Sequence, residues 1–166
     1  MKYNGLLIRL PQEIKYFLAT FVLVLSVGYF TGLLFVKNTE TTNPSGIEEN
    51  YLGNEEDAEA SVMKFKKGER EMLTIIHTHI LSMSFIFFLL GGIILFTELP
   101  TKFKMFLIIE PFFSILLTFG GIYFMWAGFH WMKYVVMISG VLMTLIFSTS
   151  VLIALYQLLI KNNKIS

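Results

Sequence analysis

The sequence predicts an all-α protein, an integral membrane four-helix bundle with both termini cytoplasmic. Three observations carry this. First, 55% of the 166 residues are hydrophobic and only 15% are charged, against roughly 45–50% and about 25% in soluble domains. Second, nine of the twelve acids are gathered between Lys37 and Met72, which leaves four long runs almost free of charge, as a bilayer selects. Third, seven Lys and Arg residues flank one set of span ends: Lys2, Arg9, Lys15, Lys102, Lys104, Lys161 and Lys164. Only Lys133 occupies the short connection opposite, so the positive-inside bias puts both termini in the cytoplasm. Five more basic residues in the long loop weaken that bias without reversing it.

Residues 1–15 form an N-terminal stub. Leu6, Leu7, Ile8 and Leu10 make it apolar enough to lie on a membrane surface, and Pro11 interrupts it. The first span is 16–36, a 21-residue run without charge, and about 20 residues cross the hydrocarbon core. No small-x-small cleavage site follows it, so it reads as an uncleaved helix. Gly28 and Gly32 form a GxxxG pair that permits close approach of another helix. Residues 37–72 form an acidic extracytoplasmic loop. Its low hydrophobicity predicts a solvated, mobile stretch from Asn38 to Glu59. From Ala60 to Met72, apolar residues mix with Lys64, Lys66, Lys67 and Arg70 as an interfacial segment.

The second span is 73–96, the third 103–126 and the fourth 132–160, followed by a polar tail, 161–166. Short connections between these three predict antiparallel neighbours. Trp126, Trp131 and Tyr134 mark the outer interface. The Gly91-Gly92 and Gly120-Gly121 pairs read as packing notches.

Composition also excludes functions. A net charge of +1 argues against nucleic-acid binding. The absence of cysteine removes disulfides, thiolate metal sites and covalently attached haem. No nucleophile elbow, zinc-protease helix or nucleotide fingerprint is present, so catalysis is not expected.

Two features remain that could carry chemistry. His77, His79 and His130 are the only histidines, and the predicted topology puts all three near the outer interface. Imidazole is a common metal and haem ligand. At about 100° per residue, His77 and His79 point roughly 160° apart on one helix. A haem or metal site would therefore pair one of them, His79 by preference, with His130. The bland alternative is three imidazoles bonding headgroups or water. The second feature is Glu110 inside the third span. Such residues are costly there and usually face the bundle interior. Glu110, Ser114, Thr118 and Gly121 share a helix face, and the fourth span offers a stripe of Gly140, Thr144 and Ser148 to meet it. Glu110 could serve a proton relay, or simply bond across helices.

The whole chain resembles uncharacterised four-helix bacterial inner-membrane proteins. His77-Thr78-His79 with Ser82-Met83, and Ile109-Glu110-Pro111-Phe112, carry that resemblance. It implies a bacterial inner membrane and no known activity or ligand set. The function expected is a small accessory or scaffold subunit of a membrane complex. Its partners would be the lipid bilayer and another membrane protein or a second copy. The alternatives are a redox protein holding b-type haem or a metal, and a proton-coupled transport component using Glu110.

Overall fold

A computed structural model describes residues 3–55 and 62–161. Among the described residues, four helices are long and apolar enough to cross a membrane. They are α1 (Gln12–Asn38), α3 (Glu69–Leu95), α4 (Thr101–Trp126) and α5 (Met132–Leu155), the last continued by a π turn, Tyr156–Ile160. A short helix, α2 (Pro44–Leu52), stands between the first two. Each predicted span falls within one long helix or runs at most one residue past its end. The starts of α1, α3 and α4 reach further N-terminally than the charge-free runs, because polar residues can continue a helix beyond the hydrocarbon.

The helices α3, α4 and α5 form the up-down set that their short connections predict, with α4 packed most extensively on α5. Glycine notches explain part of that fit. A Cβ on Gly121 would lie 2.8 Å from Val136 Cγ2, and one on Gly91 would lie 3.6 Å from Ile108 Cγ2. Their neighbours Gly120 and Gly92 face open space, so one glycine of each pair forms a notch.

Helix α1 lies at the edge of the bundle. Val22 is fully buried, and Tyr29 stacks on Phe147 of α5 with centroids 3.8 Å apart. Phe87 of α3 meets the same Phe147 edge-on. Aromatic pairs of this kind favour offset-stacked or edge arrangements. Gly28 and Gly32 point the other way, and a Cβ built on either would meet none of the described residues within 4 Å.

Two expectations need correction. The acidic stretch is not merely a solvated loop. Asn43 caps α2 by accepting a hydrogen bond from Gly46 N–H at 2.8 Å, with Pro44 in the first turn. Gly46 is required there, since a Cβ would sit 1.9 Å from Glu40 O. Ile47 is 5% exposed, and Tyr51 and Leu52 pack beside it on the core, so apolar side chains within an acidic run seat the helix. Its last turn ends at Gly53, whose φ of 83° suits glycine. The predicted acids Glu56, Asp57 and Glu59 lie outside the described residues, as do Ala60 and the tail beyond Lys161.

The second correction concerns the N-terminal stub. Leu7 and Ile8 are buried in the end of the bundle rather than laid on a membrane surface. Leu7 N–H donates to Phe96 O at 2.9 Å and Gly5 N–H to Thr97 O at 3.3 Å. The open C-terminus of α3 supplies these carbonyls, which have no partner within the helix.

Candidate functional site

Lys104 organises the stub end of the bundle. It is fully buried, and its Nζ donates to Thr97 O at 2.5 Å, Asn4 Oδ1 at 2.7 Å and Leu95 O at 3.1 Å. An ammonium has three N–H bonds, so each finds an acceptor. Two of those acceptors are carbonyls at the C-terminus of α3, where a cation is favoured. Beside it, Gln157 accepts from Glu98 N–H at 2.8 Å and donates to Glu98 O at 3.2 Å. Lys161 pairs with the Glu98 carboxylate at 2.8 Å. That hydrogen bond holds the Glu98 carboxyl below its ordinary range.

At the opposite end, α2 is pinned by Glu48. His130 Nδ1–H donates to Glu48 Oε1 at 2.6 Å, and Lys133 Nζ donates to Oε2 at 2.5 Å. The Lys133 bond does most to hold the Glu48 carboxyl below the usual carboxylate range; burial works against it, and His130 adds to it. Trp126 Nε1–H donates to Lys67 O at 2.8 Å, and the Lys66 ammonium lies 5.3 Å from the Trp126 ring centroid. The segment entering α3 is thereby fastened to the end of α4.

The three histidines are held by different partners. His130 is engaged by Glu48. His79 Nδ1 lies 2.7 Å from Ile75 O of its own helix. A carbonyl can only accept, so that nitrogen carries the proton. The His79 ring packs on Phe119, 4.9 Å between centroids. His77 is exposed among the described residues. Among the described residues, no three of His, Cys, Asp and Glu are grouped to hold a metal ion.

The intramembrane polar residues are brought together in part. Ser114 Oγ donates to Glu110 Oε1. Glu110 Oε2 is buried and has no hydrogen-bond partner among the described residues. Thr118 meets Ser139 of α5 at 2.7 Å. The expected meeting with Gly140, Thr144 and Ser148 does not occur. Thr144 faces α1 and bonds Tyr29 Oη at 3.2 Å, and Ser148 donates to Thr144 O in its own helix at 2.8 Å. The reason is rotational. Val136 fills the Gly121 notch, so the stripe that meets α4 passes through Val136, Ser139 and Met143, about 100° from Gly140 and Thr144. The same three-and-four spacing in the sequence would have revealed Ser139.

Four apolar helices, lipid-facing side chains such as Phe85, Phe88, Leu116 and Leu152, and polar atoms tied at both ends define a multi-pass integral membrane protein. Residues 41–165 match the model of the Aq_1264_TM family, described as a transmembrane helical domain. That match covers most of the chain, which belongs to this family of uncharacterised membrane proteins. The matched stretch includes α2 to α5 and begins after α1. No curated protein and no solved structure is similar enough to match.

Proposed function

We propose that this protein is a small scaffold or accessory subunit of a complex in the bacterial inner membrane, with both termini cytoplasmic. The observation that carries this reading is the uncovered face of α1. Val24, Gly28, Thr31, Gly32 and Phe35 share that face at helical spacing, and all are exposed. A Cβ at Gly28 or Gly32 would meet nothing within 4 Å. Small residues at i and i+4 let a second helix approach closely in lipid. Thr31 already bonds Gly28 O at 2.8 Å, so the face carries no unsatisfied hydroxyl proton. The partner is a membrane helix of another subunit or of a second copy.

The chain has no cysteine, so a single Val24→Cys or Thr31→Cys substitution gives a clean cross-linking probe. A partner should be captured in intact membranes from either position. Gly28→Ile with Gly32→Ile should abolish the capture while the monomer still accumulates. If the same adduct forms in the double isoleucine variant, or none forms from either single-cysteine variant, the scaffold reading through α1 fails.

A second reading is favoured by Glu110. Its Oε2 is buried and without a partner among the described residues, which suits a group that takes up and releases a proton inside a membrane. Proton-coupled transport in reconstituted vesicles, lost on Glu110→Gln, would support it. Unchanged proton uptake in that variant would leave Glu110 as a helix-packing residue.

A further inference from the structure

The chain entering α3 turns its polarity inside out. Residues 63–68 form no helix, and one edge of this stretch is paired with residues 51–54. Asn54 N–H donates to Lys64 O at 3.0 Å, and Lys67 N–H donates to Tyr51 O at 3.1 Å. The Asn54 side chain accepts from Lys64 N–H at 2.7 Å and donates to Val62 O at 3.0 Å. Gly53 lets the two backbones touch, since a Cβ there would lie 2.7 Å from Lys66 N. Successive side chains of such a paired stretch point to opposite sides. Lys64 turns inward: its ammonium lies 3.0 Å from Glu40 and 3.8 Å from Glu49, and its side chain is only 20% exposed. Met63 and Phe65, its neighbours on either side, are 53% and 71% exposed. Water would select the reverse, with lysine outside and phenylalanine within.

Trp126 fixes the depth of this apolar side. Its indole donates to Lys67 O at 2.8 Å, and the Lys66 ammonium lies 5.3 Å from its ring centroid. Residues 66 and 67 therefore both stand at the level of Trp126. At the other end of α4, exposed Lys102 gives way to exposed Phe103, which sets one hydrocarbon edge. Twenty residues at about 1.5 Å each cover the roughly 30 Å core and arrive at Tyr123. Trp126 lies about 4–5 Å beyond that second edge, inside a headgroup layer of about 5–8 Å. Phe65 is two residues from Lys67, and extended chain advances about 3.3 Å per residue, so its ring reaches the same layer. Lys66 is exposed beside it. A cation among exposed apolar side chains at this level matches phosphates lying over an acyl layer. A water-soluble partner would be met above the headgroups, not among them.

We infer that Met63 and Phe65 are immersed in the headgroup layer of the bilayer at the Trp126 end of the bundle, with the Lys66 ammonium among the lipid phosphates. The occupant of this face is the lipid surface itself. The Lys64 ion pairs and the Asn54 bonds keep the polar groups of the stretch on its protein side, so that its apolar side chains are the ones left for lipid. The connection from α2 to α3 is then a half-submerged anchor rather than a loop in water. It fastens the end of α4 through Trp126 and rests its own free side on the membrane. The inference holds whichever side of the membrane is cytoplasmic, needs no protein partner and stands apart from the α1 reading.

Nitroxide labels on Met63→Cys, Lys64→Cys and Phe65→Cys test this in the full chain, which has no cysteine of its own. Ser45→Cys and Phe85→Cys, both at exposed positions, serve as the water and lipid references. In vesicles of phosphatidylethanolamine and phosphatidylglycerol, power-saturation electron paramagnetic resonance compares two collision partners. Oxygen concentrates in lipid, and a nickel chelate stays in water. The labels at 63 and 65 should be shifted from the Ser45 reference toward the Phe85 reference, to a depth within about 5–8 Å of the hydrocarbon edge. The label at 64 should be shielded from both probes. Met63 and Phe65 are exposed, so circular dichroism of their variants should be unchanged, and either one reads the face. Labels at 63 and 65 as open to nickel as the one at 45 overturn the inference. Shielding of 63 and 65 from both probes also overturns it, because protein would then cover the face. So does protection from nickel that appears in native membranes but not in the vesicles, which would assign the face to a partner subunit.

Discussion

Replacing Lys104 with methionine removes the ammonium from a fully buried position while nearly keeping its volume. The three acceptors stay behind, because two of them are backbone carbonyls that no substitution deletes. They do not lose equally. Thr97 O still receives Gly5 N–H at 3.3 Å, and Asn4 Oδ1 still receives Leu99 N–H at 3.3 Å. Leu95 O, the last carbonyl of α3, loses its donor outright. An orphaned buried acceptor costs about 1–3 kcal/mol, and hydrogen bonds to a charged group are worth roughly 1.5–3 kcal/mol each. Against this stands the relief of no longer burying a charge, which offsets a substantial part. A net loss of about 2–4 kcal/mol is expected, with the stub loosened from the bundle. Equilibrium unfolding in mixed micelles measures the first. Trypsin measures the second, since the bond after Arg9 should be cut faster in Lys104→Met than in the parent. Asn4→Ala should add little on top of Lys104→Met, because both act through one cage. If Lys104→Met is as stable as the parent within about 0.5 kcal/mol and Arg9 is cut no faster, the cage does not hold the stub.

The Glu48 clamp gives a pH dependence. Its folded carboxyl titrates below the ordinary value of 4.5, so the clamp is fully present above that value and is lost as pH falls through the lower folded one. Protection of residues 39–55 from protease should therefore fall below about pH 4.5, and Glu48→Gln should already show reduced protection at neutral pH; equal protection of both proteins at all pH values would contradict this. Gly121→Ala pushes a methyl into Val136 at 2.8 Å and should cost about 1–3 kcal/mol by overpacking, whereas Gly120→Ala should be near neutral; a reversal of that order in unfolding experiments would refute the assigned α4–α5 interface. A reporter fused after Ser166 should read cytoplasmic and one inserted near Gly53 external, and the opposite pair of results would invert the topology.

The spans were legible because hydrocarbon thickness imposes a length that composition records directly. The paired ends were not. Lys104 meets Asn4 across 100 positions and Glu48 meets Lys133 across 85, and no periodicity announces such a meeting. The stub illustrates the difficulty: Leu7 and Ile8 have the same composition whether they lie on lipid or plug a bundle, and only the free carbonyls at Phe96 and Thr97 decide between them. Helix α2 was hidden because its acids dominate the stretch, although Asn43-Pro44 is itself a helix-start signal. Within the membrane, Glu110 and Ser114 were readable as one face, but the rotation of α5 depended on the Gly121–Val136 contact. The histidines show the limit of residue type as evidence: an imidazole serves a carbonyl, a carboxylate or a ring face as readily as a metal.

The place of α1 has a consequence in time. It is synthesised before α3, α4 and α5, yet its polar partner Thr144 lies 115 positions beyond Tyr29, and the π turn that it also touches comes later still. At about 5–20 residues per second, Tyr29 waits roughly 6–23 s for that hydroxyl. Helices α3, α4 and α5 can meet as neighbours within that interval, whereas α1 has only Phe87 of α3 to stack against until α5 has been made. Both of its faces are open during the wait. The glycine face could engage another subunit before the aromatic face finds Phe147, so assembly with a partner can precede completion of the protein's own fold.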